Sequence, residues 1–301
     1  ANRRQGKHII STVFEHAAVS APLAALEEQG FEITKIPVDA NGILSMEKLE
    51  SAIRPDTILV STMYVNNEVG AVVPVEEIGK LVHEKNPKTI YHVDAIQGYG
   101  KFRIYPKRMG IDLLSVSSHK IHGPKGVGFL YVNEKIKIQP MILGGGQQKG
   151  MRSGTDNVPG IAGLGAAAKK IYEDFDEKIE QLKENKLYLA KRLQELDNVF
   201  INGPKPEDGA PHILNASFVG VRSEVLLHTL EEKQIYISAG SACSSHKRAA
   251  SATMLALGIS AERRESAIRF SLSEMTTKEE LDYAVDEIAK VLPVLRKFAR
   301  H

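Results

Sequence analysis

The first half of the chain alternates short strand-like segments with helix-like segments, and this alternation restricts the fold more than any other feature. Each strand-like segment is rich in β-branched or aromatic residues and is bounded by Gly, Pro, Asn or Asp. Helical patterns stand between them, as at residues 17–29 and 75–86. Such alternation predicts an α/β fold with a mostly parallel sheet and helices on its faces. The predicted strands are residues 8–14, 31–38, 57–65, 89–93, 112–116 and 128–132.

The second half follows a different pattern. A helical region covers residues 159–196, with an interruption at residues 174–176, and its second part is amphipathic. After it, strands are predicted at 212–219, 235–239 and 267–272, and helices at 223–233 and from 278 onward. We place a domain boundary near residue 175. This gives a large domain over residues 1–175 and a smaller α+β domain over residues 176–301.

Composition excludes several classes of protein. Of the 301 residues 43% are hydrophobic and 25% charged, as in soluble globular proteins and unlike disordered or fibrous chains. The net charge of +2 provides no basic surface for nucleic acid, and no apolar run is long enough to span a membrane. The lone Cys243 cannot form an internal disulfide, which favours a reducing compartment. Residues 1–8 have no initiator Met and lead directly into a predicted strand, so we expect the sequence to be the downstream part of a longer chain.

Chemically useful side chains follow three successive predicted strands. Asn67 comes after the third strand, Asp94 after the fourth and Lys120 after the fifth. Ligands of open parallel sheets bind beyond the carboxyl ends of the strands, so an amide, a carboxylate and a lysine are expected at one edge. A lysine that forms a Schiff base and an acid that keeps a pyridine nitrogen protonated suit pyridoxal phosphate (PLP). Ser117 and His119 could donate to its phosphate.

Other interpretations of these residues remain open from spacing alone. Asp94 and Lys120 could be structural. His92 with Asp94, and His119 with His122, raise the question of a metal. No Cys pair or His-Glu-x-x-His pattern accompanies them, so a metal site is not favoured. Cys243, among small polar residues beyond a predicted strand, is either an inert thiol or an accessible nucleophile.

Eight short motifs follow one another along nearly the whole chain. They are Glu-His-Ala-Ala-Val at 15–19, Val-Asn-Asn-Glu-Val-Gly at 65–70, Tyr-His-Val-Asp-Ala-Ile-Gln at 91–97, Ser-Ser-His-Lys-Ile-His-Gly-Pro-Lys-Gly at 117–126, Gly-Gly-Gly-Gln-Gln at 144–148, Met-Arg-Ser-Gly-Thr at 151–155, Ser-Ala-Cys at 241–243 and Ile-Arg-Phe-Ser-Leu at 268–272. Together they resemble cysteine desulfurases of the NifS/IscS type, in the class V aminotransferase group of fold-type I PLP enzymes. The resemblance implies a large domain with a mostly parallel, seven-stranded-type sheet, and a smaller C-terminal domain that carries the cysteine.

The resemblance also implies a cofactor site for PLP. In this family pattern Lys120 forms the Schiff base with the cofactor, and Asp94 pairs with the pyridinium nitrogen. The other implied cofactor contacts are His16 stacked on the ring, Gln97 at the ring hydroxyl, Asn67 beside the cofactor, Ser117 and His119 at the phosphate, and Thr155 reaching in from a second subunit.

The implied reaction converts L-cysteine to L-alanine. Arg269 clamps the substrate carboxylate with help from Asn67, Lys120 moves a proton, and Cys243 takes the sulfur as a persulfide. The Gly-Ser-Ala-Cys signature at 240–243, with the long segment 244–256 after it, resembles the branch that delivers sulfur directly to an iron–sulfur scaffold protein. We therefore expect a cytoplasmic homodimer that serves iron–sulfur cluster assembly, with no nucleic-acid or membrane partner.

One feature separates this sequence from the family pattern, and two alternative functions remain open. Family segments resembling Asn-x-Ala-Thr-Thr and Gly-Ala-Thr-Glu, the second of which grips the cofactor phosphate, are absent from these 301 residues. Weak phosphate binding is therefore expected of this chain. The alternatives are a selenocysteine lyase-like enzyme, or a catalytically impaired fragment that acts only in binding or dimerisation.

Overall fold

The computed structural model describes residues 2–239 and 251–298, and the chain divides into two compact units. Unit 1 comprises Ala1–Ile36, Met46–Tyr64 and Pro74–Glu173. Unit 2 comprises Pro37–Ser45, Val65–Val73 and Asp174–His301. No helix in the described ranges is long and apolar enough to cross a membrane.

Unit 1 is built on one six-stranded sheet. Its strands are β1 His8–Thr12, β2 Glu32–Ile36, β3 Thr57–Met63, β4 Ile90–Asp94, β5 Leu113–Ser117 and β6 Gly128–Val132. Its helices are α1 Ala17–Glu28, α2 Met46–Ala52, α3 Val75–Lys85 and α4 Val158–Tyr172. The strand order is β2-β1-β3-β4-β5-β6, and all neighbours are parallel except β5 and β6. The predicted α/β fold with a mostly parallel sheet is thereby confirmed.

The central strands of this sheet are largely buried, in keeping with their apolar residues and with helices on the faces of a parallel sheet. All five residues of β1 are buried, and Val60, Tyr91 and Val93 are fully enclosed. The edge strand β6 is mostly exposed and runs antiparallel, because a short connection rather than a crossover helix leads into it from β5. The strands predicted at 8–14 and 57–65 end two residues early, at Thr12 and Met63.

Unit 2 has an antiparallel four-stranded sheet in the order β7-β8-β10-β9. Its strands are β7 Val199–Ile201, β8 Ile213–Phe218, β9 Ser238–Ala239 and β10 Ala267–Ser271. Its helices are α5 Phe175–Gln194, α6 Ser223–Glu231, α7 Ala252–Ala256, α8 Ala261–Glu265 and α9 Lys278–Phe298. One apolar core joins the sheet to α5, α6 and α9. The strand predicted at 235–239 was too long, since pairing with β10 covers only its last two residues.

Asp174, the residue before α5, has a left-handed φ of 50°. This is the interruption predicted at residues 174–176. A single boundary near residue 175 does not describe the two segments 37–45 and 65–73, which belong to unit 2. The second of them is held there by hydrogen bonds from the Ala210 amide to the Gly70 carbonyl and from the Asn215 side chain to the Glu68 carbonyl.

Candidate active site

Asp94 is the last residue of β4, at the carboxyl end of the unit 1 sheet. It is 6% exposed, and its Oδ1 accepts a 3.0 Å hydrogen bond from the Ile96 amide. Burial raises the pKa of Asp94, whereas the Ile96 hydrogen bond and the charge of His16 act to lower it. A buried carboxylate held by one backbone amide can accept a hydrogen bond from a cationic N–H group of a ligand.

His16 lies just after β1 and caps the N-terminus of α1. Its Nδ1 accepts a 3.1 Å hydrogen bond from the Ala18 amide, so Nδ1 is the unprotonated ring nitrogen in this arrangement. The cap fixes the ring relative to the helix, while the side chain stays exposed. The predicted ring-stacking residue is therefore oriented by the helix.

Lys120 follows β5 on a single 3-10 turn over Ser118–Ile121. β4 and β5 are adjacent and parallel, and the Ala95 amide donates to the Ser115 carbonyl. The chain ends of these strands therefore bring Lys120 and Asp94 to the same edge of unit 1. The turn leaves no room for a larger residue at Gly123, because a Cβ there would lie 2.1 Å from Ser118 Oγ.

The other predicted cofactor residues of unit 1 occupy loops at or beyond this edge. Gln97 is half-buried in the turn after β4, and Ser117 ends β5 without using its hydroxyl to cap the following turn. His119 is exposed beside Lys120. Thr155 is exposed in the loop before α4, and the described part of the chain shows no hydrogen bond from it to Ser117 or His119.

Asn67 and Arg269 form a second group, which lies within unit 2. Nη1 of Arg269 on β10 donates a 2.9 Å hydrogen bond to the Asn67 carbonyl, and Nη2 donates to Ser238 Oγ at 3.1 Å. Nε of Arg269 is buried and has no hydrogen-bond partner among residues 2–239 and 251–298. The guanidinium thus retains donors for an anionic ligand. Asn67 comes after β3, as predicted, in the turn where Val65 bridges to Val72.

Asn66 had no predicted role, yet it is fully buried and its side chain holds the turn at 65–72 together. Its Oδ1 accepts hydrogen bonds from the Glu68 and Val69 amides at 2.9 and 3.0 Å. Its Nδ2 donates to the Thr253 hydroxyl at 3.1 Å. The sequence signal that could have indicated this role is an asparagine in a turn, whose side-chain oxygen can accept a hydrogen bond from the amide two residues ahead in an Asx-turn. The predicted nucleophile Cys243 lies outside the described residues.

His92, a candidate metal ligand from the sequence, instead lies between two serine hydroxyls on the neighbouring strands. Its Nδ1 lies 2.8 Å from Ser61 Oγ and its Nε2 lies 2.9 Å from Ser115 Oγ. Burial lowers the pKa of His92 to about 4. The ring is therefore neutral at physiological pH, and both nitrogens are committed to hydrogen bonds that cross β3, β4 and β5.

Comparisons with known proteins bear on the interpretation of these two groups. The model of the family described as aminotransferase class-V matches residues 1–284. A cysteine desulfurase IscS of Clostridium botulinum is 40% identical over 301 residues, covering 99% of this chain and 75% of that protein. The IscS of Klebsiella pneumoniae is 43% identical over 299 residues, which are 99% of this chain and 73% of that protein. A solved NifS-like protein superposes with a TM-score of 0.91 at 37% identity, covering 98% of this chain and 77% of the other.

Proposed function

The chain belongs to the class-V aminotransferase family, and we propose that it is a PLP-dependent cysteine desulfurase that converts L-cysteine to L-alanine. One structural observation carries this proposal. Asp94 and Lys120, the acid and the amine that such an enzyme needs, stand at the carboxyl ends of neighbouring parallel strands.

The residues of unit 1 fit the cofactor in kind and in burial. Asp94 has one oxygen held by a backbone amide, and its second oxygen suits a pyridinium N–H donor. Lys120 supplies the amine that binds the aldehyde, and the capped ring of His16 supplies a flat surface for the pyridine. The hydroxyl of Ser117, with His119 and Gln97, supplies donors for the phosphate and the ring hydroxyl. PLP, when bound through the substrate amino group, would withdraw electrons from the α-carbon and so weaken the bond between the adjacent β-carbon and sulfur.

The residues of unit 2 suit the substrate carboxylate. The guanidinium of Arg269 is oriented by its hydrogen bonds to the Asn67 carbonyl and Ser238. Its remaining N–H groups can form a bidentate pair with a carboxylate. Prior orientation lowers the entropy that substrate binding must overcome. Asn67 is half-buried beside this guanidinium and orients the substrate.

Cys243 is the proposed sulfur acceptor. Its thiolate attacks the substrate sulfur, so a sulfur–sulfur bond forms as the carbon–sulfur bond breaks, and the bonding electron pair stays with the carbon fragment. A proton delivered by Lys120 then completes L-alanine, and the protein retains a persulfide. A thiol that carries sulfur in this way needs a reducing compartment, which supports a cytoplasmic location.

We further propose a homodimer that passes its sulfur to an iron–sulfur scaffold protein. Support for a second copy comes from apolar side chains that unit 1 leaves in solvent. Met141 and Leu143 are 96% and 80% exposed, and Val158 is 66% exposed near Thr155. A partner that covers these side chains would bring its own Thr155 toward the phosphate residues.

The test is a single-turnover reaction of the PLP-loaded protein with L-cysteine. The proposal predicts one L-alanine formed per subunit and a mass gain of one sulfur on the peptide that contains Cys243. The same assay with L-selenocysteine and cysteine sulfinate distinguishes the lyase-like alternatives. Protein that takes up PLP but forms no alanine would support the impaired fragment instead.

A further inference from the structure

Glu15 is a buried acid that the proposed reaction does not use. It is 8% exposed and lies in unit 1 directly before His16. Its Oε1 accepts a 2.6 Å hydrogen bond from the Thr12 hydroxyl and a 2.9 Å hydrogen bond from the Met63 amide. Its Oε2 is buried and has no hydrogen-bond partner in the described ranges. One oxygen therefore joins the ends of β1 and β3, while the other is unsatisfied.

The electrostatic surroundings of Glu15 disfavour its ionised form. The titratable groups that face or adjoin it are Asp94 and Tyr91 on β4 and His16 at the start of α1. The pKa of Glu15 is raised to about 7, chiefly by burial and also by the negative charge of Asp94, against the lowering effect of the two hydrogen bonds. An ionised Glu15 would place a second buried negative charge next to Asp94.

We propose that Glu15 is a positioning residue that is uncharged in the folded protein below neutral pH and so leaves the negative charge at this end of the sheet to Asp94. The inference rests on the role proposed above for Asp94, whose charge must meet the ring nitrogen of the cofactor. Two neighbouring buried carboxyl groups that share one charge titrate as a coupled pair. Glu15 thus acts through Asp94 and does not touch the reacting atoms.

Infrared difference spectroscopy of the full-length apoprotein tests the charge state directly. The wild type should show the carbonyl band of a protonated carboxyl group at about pH 6, which disappears with a midpoint near pH 7. E15Q should lack this band, whereas E76Q, which removes an exposed acid of α3, should keep it. D94N should move the midpoint to lower pH, because the like charge is gone.

Two results of this experiment would overturn the proposal. One is a wild-type spectrum without any carboxyl band that E15Q removes. The other is a midpoint that D94N leaves unchanged. The D94N titration decides the question even if E15Q does not fold.

Cofactor binding supplies a second measurement. The dissociation constant of PLP, followed by absorbance, should agree within about threefold between E15Q and the wild type below pH 7, because glutamine resembles the neutral acid. Above pH 7 the two profiles should separate, and parallel profiles at all pH values would contradict the proposal. A wild type that never takes up PLP would reject the proposed function alone, since the infrared titration uses apoprotein.

Discussion

Nη1 of Arg269 donates a 2.9 Å hydrogen bond to the backbone carbonyl of Asn67, which lies 202 residues away in the sequence. Ser238 Oγ accepts a second hydrogen bond from the same guanidinium. Together these contacts join β10, β9 and the turn 65–73 within unit 2. The side chain proposed to bind the substrate carboxylate is thus held in place by the protein itself.

Replacing Arg269 by lysine should weaken substrate binding more than turnover. An ammonium cannot form the two parallel hydrogen bonds of a guanidinium, so R269K should raise KM for L-cysteine by about 10²-fold with a smaller change in kcat. Steady-state kinetics on PLP-loaded protein measures this. R222K, at the N-cap of α6 on the surface, is the control and should behave as wild type. An unchanged KM in R269K would remove Arg269 from the substrate site.

D94N should reduce both retention of PLP and turnover. An amide cannot stabilise a protonated ring nitrogen, so turnover should fall by about 10²-fold or more. Absorbance after gel filtration measures retention, and alanine formation measures turnover. D56N, which changes an exposed acid just before β3, should leave both unchanged. Equal losses in D94N and D56N would show that Asp94 has no special role.

C243A should separate cofactor chemistry from sulfur transfer. The variant should bind PLP with wild-type absorbance, because no cofactor contact is assigned to Cys243. It should form no persulfide, and sulfide release with a thiol reductant should fall to background. Release of sulfide at the wild-type rate would contradict the assignment of the nucleophile.

The half-buried His92 should make stability depend on pH. Its pKa is about 4 in the folded protein against an ordinary value of 6.5, so between these values the unfolded chain binds a proton that the folded chain does not. Its contribution is present above pH 6.5 and is lost as pH falls toward 4. H92N should cost about 1–2 kcal/mol at pH 7, and the difference from wild type in urea unfolding should shrink as the pH is lowered.

The exposed His228 provides the control for this measurement. It lies on α6 with its ring 2.8 Å from Glu231 at the surface, so H228N should differ little from wild type in stability at any pH. A gap between wild type and H92N that stays constant from pH 7 to pH 4 would mean that His92 is not buried as a neutral ring.

The sequence predicted those parts of the fold that local pattern determines. β4 and β5 are short segments rich in apolar residues and bounded by polar ones, so they could be placed, and with them Asp94 and Lys120 at one edge. Short elements were missed. β7 has three residues and exists through its pairing with β8, and α2 has only seven residues.

The contributions of Glu15 and Asn66 could not be predicted, because their partners are distant in sequence. The Met63 amide that binds Glu15 is 48 residues away, and the Thr253 hydroxyl that binds Asn66 is 187 residues away. Glu15 belongs to the motif at 15–19 and Asn66 to the motif at 65–70, both of which carry the resemblance to cysteine desulfurases. Their roles follow only from burial and hydrogen bonding in the folded chain.

Lys120 is proposed to hold the cofactor opposite Asp94. Borohydride reduction of the PLP-loaded protein, followed by peptide mapping by mass spectrometry, tests it most directly. We expect the mass of the reduced cofactor on Lys120, with the neighbouring Lys125 unmodified and no modification in K120A. Cofactor mass on Lys125 or on another lysine, or an equal yield from K120A, would show that Lys120 does not hold the cofactor.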